Sequence, residues 1–591
     1  MTDPTIVSLF NQRVDELASQ PALHQKTDDG HWEVLTWSEY GADVRAISRA
    51  LASDGVGPGD GVAILSTNRR EYHLVDMAAL SLGAIAVPIY QTNSPEQVRY
   101  VLEHSDAKIV FCENTEQCAK VAQIRAGLSQ LKKVVTFLDG RSDEVYAELL
   151  ERGRELDAAD PSAYIESSAS VKPDDIACLI YTSGTTGPPK GAMLTHQNVV
   201  WTGDSLAQLL NVDRPSFLSF LPLAHIAERM VSHYGQIRFG GETWFGGGAA
   251  TLREDLAEVR PTILFAVPRI WEKVESALRH RFEQMPGLLG RLAQQNLAVN
   301  GRLVDTRQAG ERPRLLDRLI GPLLDRVAGA KVRSQLGLDL VTDAISGAAP
   351  IARETLAFFH ALGIPIREVY GQTEGTGPTS LMPRDDIRLG TVGKAIPGVE
   401  IKIAADDEIL FRGGNVFSGY YKNDQATADT VIDGWVRSGD LGRLDADGFL
   451  SIIGRKKDLI ITAGGKNISP QNIESALRAH EEIGQAVVIG DGRRFMSALI
   501  TLDPEGIETF ARERGGSADP VALVASDDAR ELVERIVDDV NARLSNAEAI
   551  KKFTILAHDF SQETGELTPT LKVMRHVVSE KYAAEIEAMY E

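Results

Sequence analysis

The stretch Ile180–Leu194 reads IYTSGTTGPPKGAML, and it continues directly from the apolar run IACLIY. Small hydroxyl residues and three glycines are gathered here around a single lysine. Phosphate oxygens need several N–H and O–H donors converging on one point. Glycine lets the backbone approach closely, and serine and threonine add hydroxyls. Thr182, Ser183, Gly184, Thr185, Thr186, Gly187 and Lys190 supply that chemistry. A Walker A loop requires Gly-Lys followed by Ser or Thr. Lys190 instead follows Pro189 and precedes Gly191, which disfavours a P-loop kinase or GTPase. The lesser, competing reading of the stretch alone is a Gly/Thr-rich turn after a strand.

Working outward from this loop, short apolar runs alternate with helical patterns. GVAILS (Gly61–Ser66) reads as a buried strand, REYHLVDMAALSLG as a helix, AIAVPIY as a strand, PEQVRYVLEHS as a helix and KIVFC as a strand. Such alternation predicts parallel sheet with helical cover, an α/β fold. FLSFLPL, TILFAV and IREVY are further buried-strand candidates, each leading into a loop rich in Gly, Pro, Ser or Thr. In open α/β sheets ligands gather at such strand ends. The region from about Arg279 to Arg333 differs: it is helical in pattern and carries more Arg than acid. The preferred reading is a solvated helical insertion; the alternative is a basic patch for an anionic ligand tail or a membrane surface. After Asp458 the pattern resets. KDLIITAGGKNISPQNIESALRAH predicts a hairpin and then a helix, with Ser469 as N-cap and Pro470 at the first helical position. GQAVVIG and FMSALITLD follow as strands and DARELVERIVDDVNARLS as a helix, together a small α+β domain.

A chain of 591 residues is too long for one core, so two or more domains are expected. No apolar run reaches the roughly 18 to 20 residues needed to cross a bilayer. The acidic, polar N-terminus has no basic n-region and no cleavage site, so export is not expected. Cys112, Cys118 and Cys178 form no metal spacing and no disulfide framework, which fits a reducing cytoplasm. The net charge of −21 argues against nucleic-acid binding. It also means that a polyanion must be met by cations and amides concentrated in one place.

Other motifs are ambiguous singly. EVYGQTEGTG (Glu368–Gly377) carries Glu374, a carboxylate able to ligate Mg²⁺ beside substrate phosphates, or an ordinary turn residue. GWVRSGDLG offers Asp440 in a hairpin-like context, where it could accept from ribose hydroxyls. ETGELTPTLKVMRH offers Lys572 near the C-terminus, otherwise a surface lysine.

In combination and in this order, YTSGTTGPPKGAMLTH, SGAAPI, VYGQTEGTG, GWVRSGDLGRLDADGFLSIIGRKKDLI, TAGGKNISPQNIE and LTPTLKVMR resemble the adenylate-forming superfamily of acyl-CoA synthetases, luciferases and peptide-synthetase adenylation domains. FLPLAHIAER, AVPRIWEKV, the helical insertion and LTPTLK are similar to the long-chain fatty acid–CoA ligases within it. The resemblance implies a large N-terminal AMP-binding domain (1–456, with the insertion at 279–333) and a small mobile C-terminal domain (457–591), hinged at Lys457. It further implies that Thr182 to Lys190 wrap the β- and γ-phosphates of ATP, and that Thr182 and Glu374 hold Mg²⁺. Gly347, Ala348, Glu368 and Tyr370 would line the adenine, Thr373 would contact the α-phosphate, and Asp440 would take the ribose hydroxyls with Arg455 nearby. His225 would border the carboxylate pocket, Gly464 would sit where the pantetheine of CoA passes, and Lys572 would bridge carboxylate and α-phosphate. The implied reaction converts a fatty acid and ATP into acyl-AMP and pyrophosphate, then transfers the acyl group to CoA. Lys572 follows Thr-Leu rather than the Ser-Gly of short-chain relatives. Three readings stay open beside it: a fatty acyl-AMP ligase that loads a carrier protein, a luciferase-like oxidase, and a non-catalytic nucleotide-binding relative. Cytoplasmic placement is expected, with peripheral membrane contact compatible with it.

Overall fold

The computed structural model describes residues 4–591 apart from 183–187, 211, 249–250, 285–286, 464–465, 481, 505, 508–525 and 569–571, and apart from the side chains of 283 and 287–289. Most of the chain builds a large N-terminal domain around two extended sheets. The first has eight strands in the order Gly419–Tyr420, Lys190–Thr195, Ile176–Thr182, Ile85–Ile89, Gly61–Leu65, Ala107–Cys112, Lys133–Thr136, Glu144–Val145. From Ile176–Thr182 onward its pairings are parallel. Gly61–Leu65 and Ile85–Ile89 are buried at every position, so they read as continuous apolar runs rather than alternating ones. The helices between them carry legible start signals. Ser94 and Gln97 form a reciprocal capping box ahead of a helix with Pro95 at its first position (Pro95–His104), and Thr36 and Glu39 do the same for Trp37–Ser53.

The second sheet has nine strands, and its parallel centre runs through Ile366–Gln372, Asp343–Ser346, Ile263–Ala266, Ser216–Ser219, Glu242–Phe245 and Pro21–Lys26. Antiparallel strands close both edges, Gly377–Leu381 and then Lys394–Ala395 on one side and Trp32–Thr36 on the other. A third, five-stranded antiparallel sheet contains Glu400–Ile403, Glu408–Arg412, Trp435–Leu444 and Leu450–Arg455. Asp440 therefore lies within a ten-residue strand rather than at a hairpin turn. Gly439 precedes it with φ of 72°, a conformation that favours glycine. A fully buried ion pair links helix Arg70–Leu80 to the one-turn π-helix Arg229–His233: Arg229 Nη2 lies 2.8 Å from Asp76 Oδ2.

The region expected as a helical insertion is helical but wider than 279–333. It runs through Pro268–Gln284, Gly287–Gln308, Leu315–Leu324, Asp325–Gly329 and Ala330–Gln335. Its surface is not simply a solvated charged face, because a row of leucines stands open on it.

The smaller C-terminal domain starts from a short hairpin, Ile460–Ile461 with Asn467–Ile468. A three-stranded sheet follows: Ile483–Ile489, Met496–Leu502 and Ile550–Ile555. Helices Pro470–Arg478 and Asp527–Asn541 cover one face through Leu477, Val533 and Ile536. The C-terminal helices cover the other through Val578, Ile586 and Met589. Ser469 does stand at the N-cap of Pro470–Arg478, but its hydroxyl makes no capping bond; Pro470 is at the first turn as expected.

Candidate active site

A cavity of about 960 Å³ opens where the two large sheets, the third sheet and the C-terminal domain meet. Its polar wall is built from strand ends. Ile176–Thr182 and Lys190–Thr195 are antiparallel neighbours, and their register sets Thr182 directly opposite Lys190. Strand Ile366–Gln372 runs into a short 3₁₀ turn that presents Thr373 and Glu374. Asp343–Ser346 ends at Gly347 and Ala348, and the strand Ser216–Ser219 leads to His225. This is the position at which open parallel sheets bind ligands.

Thr182, Lys190, His225, Ala348, Thr373, Glu374, Arg455, Lys457 and Lys572 all line this one space. Gly347, Glu368, Tyr370 and Asp440 do not line it directly. Tyr370 and Asp440 adjoin it through Arg455: the Tyr370 hydroxyl donates to Asp440 Oδ2 at 2.8 Å, and Arg455 Nε donates to Asp440 Oδ1 at 3.1 Å. Asp440 and Arg455 are cross-strand partners, so sheet register fixes the pair. Gly347 is packed so closely that an added Cβ would stand 2.5 Å from Val369 Cγ1, and Val369 lines the cavity. Glu368 stays off the wall. One of its carboxylate oxygens is shielded and unpartnered, and burial pushes its pKa up to about 8. Ser183, Gly184, Thr185, Thr186, Gly187 and Gly464 lie outside the described residues.

Electrostatics single out Lys572. It reaches the cavity from the C-terminal domain as an exposed residue, its ammonium partly desolvated by the cavity wall. That desolvation, with Arg455 next, lowers its pKa to about 8, against the attraction of Asp440 and Glu374. His225 is neutral: burial and then Lys572 push its pKa down to about 3, and its Nδ1 accepts from the Ala227 amide at 3.1 Å. Six cationic side chains line the cavity against three carboxylates, Glu374, Glu408 and Asp429. A protein of net charge −21 thus holds a cationic site at this spot.

Two features were not visible in the sequence. Tyr420, in FSGYYKN, donates its hydroxyl to Glu374 Oε1 at 2.6 Å and places its ring 4.8 Å from Lys190 Nζ. It orients both the carboxylate and the lysine, yet a tyrosine in a two-residue strand, Gly419–Tyr420, carries no periodic or spacing signal. The second is an apolar lobe of the cavity, walled by Leu206, Leu210, Phe217, Phe239, Phe265 and Ile345. These residues are scattered over some 140 positions and share no motif.

Comparison with known proteins gives this arrangement a family. The model of the AMP-binding enzyme matches residues 10–421, and that of the AMP-binding enzyme C-terminal domain matches residues 457–591. The chain belongs to the AMP-binding enzyme family. This AMP-binding enzyme is 40% identical over 579 residues to the long-chain-fatty-acid–CoA ligase FadD15 of Mycobacterium bovis, covering 96% of this chain and 94% of that one. It is 32% identical to the human long-chain-fatty-acid–CoA ligase ACSBG2, covering 100% of this chain and 93% of that one. Among solved structures, the adenylation domain of a carboxylate reductase from Mycobacterium chelonae superposes with a TM-score of 0.76 at 21% identity, over 100% and 92% of the two chains. The anthranilate CoA ligase AuaEII in complex with anthranoyl-AMP superposes with a TM-score of 0.72 at 20% identity, over 98% of each. At these identities the structures establish the fold: a large N-terminal and a smaller C-terminal domain.

Proposed function

We propose that this AMP-binding enzyme activates a long-chain fatty acid with ATP, releases pyrophosphate, and transfers the acyl group from acyl-AMP to CoA. The observation that carries the reading is the junction of two environments in one cavity. A cationic mouth containing Lys190, Arg455 and Lys572 opens onto a lobe lined by Phe217, Phe265 and Ile345. A molecule with a charged head and a long apolar tail fits across that junction. The relatives that are long-chain-fatty-acid–CoA ligases point to the same substrates.

A carboxylate lacks a leaving group, so attack on the α-phosphate of ATP is needed to make it an acylating agent. Two anions then meet, and fixed cations must offset the developing charge. Lys572 would bridge the carboxylate and the α-phosphate oxygens, and Lys190 would face the leaving pyrophosphate. Asp440 accepts from the ribose hydroxyls, held in place by Arg455 and Tyr370. Gly347 and Ala348 bring backbone close to the adenine, with Tyr370 and Glu368 on the adjoining strand. His225, neutral and half-buried, borders the carboxylate without adding charge. The residues suit Mg²⁺: Glu374 keeps an oxygen free of Tyr420, and Thr182 supplies a hydroxyl in the same cavity. Among the described residues no cluster of three or more His, Cys, Asp or Glu could hold a metal alone, so substrate phosphates would complete its coordination. Bound there, Mg²⁺ would supply charge neutralisation at the leaving phosphates.

The second step needs a thiol at the acyl carbon and no longer needs Lys572. We place the boundary between the domains at 456/457 and the hinge at Lys457, in the exposed 3₁₀ turn Lys456–Asp458. The contacts that rotation there must break include two ion pairs, Arg269–Asp503 at 2.7 Å and Arg543–Glu354 at 3.2 Å. The Arg543–Glu354 pair is well exposed and contributes little, whereas Arg269–Asp503 is largely buried and is the stronger of the two contacts that opening must give up. Rotation would withdraw Lys572 and bring the Gly464 segment toward the acyl carbon, closing a second site for CoA. The test is AMP and pyrophosphate formation over fatty acids from acetate to long chains, with and without CoA. The reading expects long chains to be preferred and CoA to be consumed in step with AMP. Acyl-AMP that accumulates while CoA is untouched would instead indicate a ligase serving a carrier protein.

A further inference from the structure

Helix Leu315–Leu324 continues without a break through the π-turn Asp325–Gly329 into Ala330–Gln335. Its inner face is held to the protein by Asp317, Gly321 and Leu324, all buried. Asp317 pairs with Arg302 at 2.7 Å, and Asp325 pairs with Arg333 at 2.6 Å. Its outer face is apolar and open. Leu315 is 73% exposed, Leu319 68%, Leu316 65% and Leu323 63%, with Ile320 and Val327 also exposed. Their spacing, i, i+1, i+4, i+5, i+8 and i+12, places all six on one side of the helix. Six large side chains in one patch differ from the scattered apolar residues normal on a surface. Most of the protein's other exposed large hydrophobics stand far from this helix in the sequence.

Charge identifies the partner. Arg312, Arg314, Arg318, Arg326 and Lys331 flank this face, all exposed and without an ion pair among the described residues. The two acids inside the helix are already paired inward. A basic surface on a chain of net charge −21 runs against its overall composition. We propose that this helix is a membrane-docking element that inserts its leucines into the headgroup–acyl boundary of an anionic lipid bilayer while the arginines meet lipid phosphates. No helix among the described residues is long and apolar enough to cross a membrane, so the element lies on the bilayer rather than through it. A second copy of the chain fits less well. Twofold pairing would crowd the unpaired cations of both copies together, and one helix face is small against the roughly 800 Å² per partner of a standard interface. The inference goes beyond the proposed reaction and is tested without turnover.

The test is flotation of the full-length protein with two kinds of vesicle, phosphatidylcholine alone and an equal mixture of phosphatidylcholine and phosphatidylglycerol, at low and physiological salt. The wild type is expected to float with the mixed vesicles more strongly than with the neutral ones, and less strongly as salt rises. Leu319→Glu with Leu323→Glu alters only exposed positions and should keep the wild-type melting curve while losing about tenfold or more of its vesicle binding. Arg314→Gln and Arg318→Gln should each lose about fivefold on anionic vesicles and little on neutral ones. A wild type that stays out of both vesicle types overturns the proposal. So does a leucine variant that floats equally well, or a solution dimer that the leucine variant dissolves, since the face would then belong to a second copy.

Discussion

Lys572 should give this enzyme a distinctive pH profile. Its pKa is lowered to about 8 because its ammonium is desolvated and faces Arg455. The charged form is the one that adenylation needs, and it is lost as pH rises through that value. At pH 7 about nine-tenths of the lysine is charged, and at pH 9 about one-tenth, by simple titration from a pKa of about 8. The kcat/KM of acyl-AMP formation, which reports the free enzyme, should therefore fall about tenfold per pH unit above 8. Bound ATP brings negative charge beside the lysine, so the same limb in kcat should move to higher pH. Lys572→Arg keeps a charge that does not titrate in this range and should erase the limb. Lys572→Ala should lower adenylation by about 10²- to 10³-fold, or roughly 2.7–4 kcal/mol, the usual worth of one group aimed at developing charge. The alanine variant should still make thioester from supplied acyl-adenylate. The assay follows pyrophosphate release for the first half-reaction and thioester formation for the second, each across pH 6.5 to 9.5 (about three units). An alkaline limb that survives unchanged in Lys572→Arg, or an alanine variant impaired equally in both halves, would refute the role.

Other consequences follow from single contacts. Asp440→Asn weakens the acceptor of Tyr370 and Arg455 and should raise KM for ATP by about 10- to 100-fold, the worth of one charge-assisted hydrogen bond; an unchanged KM would remove Asp440 from the ribose site. Tyr420→Phe removes the 2.6 Å bond to Glu374 and should raise the Mg²⁺ concentration for half-maximal rate by about tenfold, corresponding to a hydrogen bond to a charged group of about 1.5 kcal/mol. A Mg²⁺ titration that overlays the wild type would contradict that orientation role. Asp76→Ala leaves Arg229 buried without its carboxylate and should cost about 3–5 kcal/mol of stability, read as a clear drop in the denaturation midpoint. A midpoint within error of the wild type would mean that the arginine finds another partner.

The sequence made the parallel sheets legible because strands buried on both faces become unbroken apolar runs, as at Gly61–Leu65 and Ile85–Ile89. The third sheet was less visible. Glu400–Ile403 and Trp435–Leu444 mix exposed and buried positions and resemble loop or turn sequence. For the same reason Asp440 looked like a turn residue. The polar half of the site could be read because Thr182 and Lys190 stand at strand termini and Thr373 and Glu374 in the short turn that follows a strand, where neighbours in sequence remain neighbours in space. The apolar lobe could not, because Phe217, Phe265 and Ile345 come from three different strands and are joined only by sheet order. Tyr420 was missed on similar grounds: its partner Glu374 lies 46 residues away. Helix Leu315–Leu324 was recognisable as basic and helical, but burial alone decides which of its sides faces water.

One cavity should hold the adenylate and the acyl chain end to end, with Lys572 at the join. A crystal structure with a non-hydrolysable palmitoyl-sulfamoyl adenosine would test this most directly. The nucleoside is expected beside Gly347, Tyr370 and Asp440, the sulfamoyl linkage against Lys572, and the alkyl chain among Phe217, Phe265 and Ile345. An analogue bound with its chain outside that lobe, or with its linkage remote from Lys572, would contradict it.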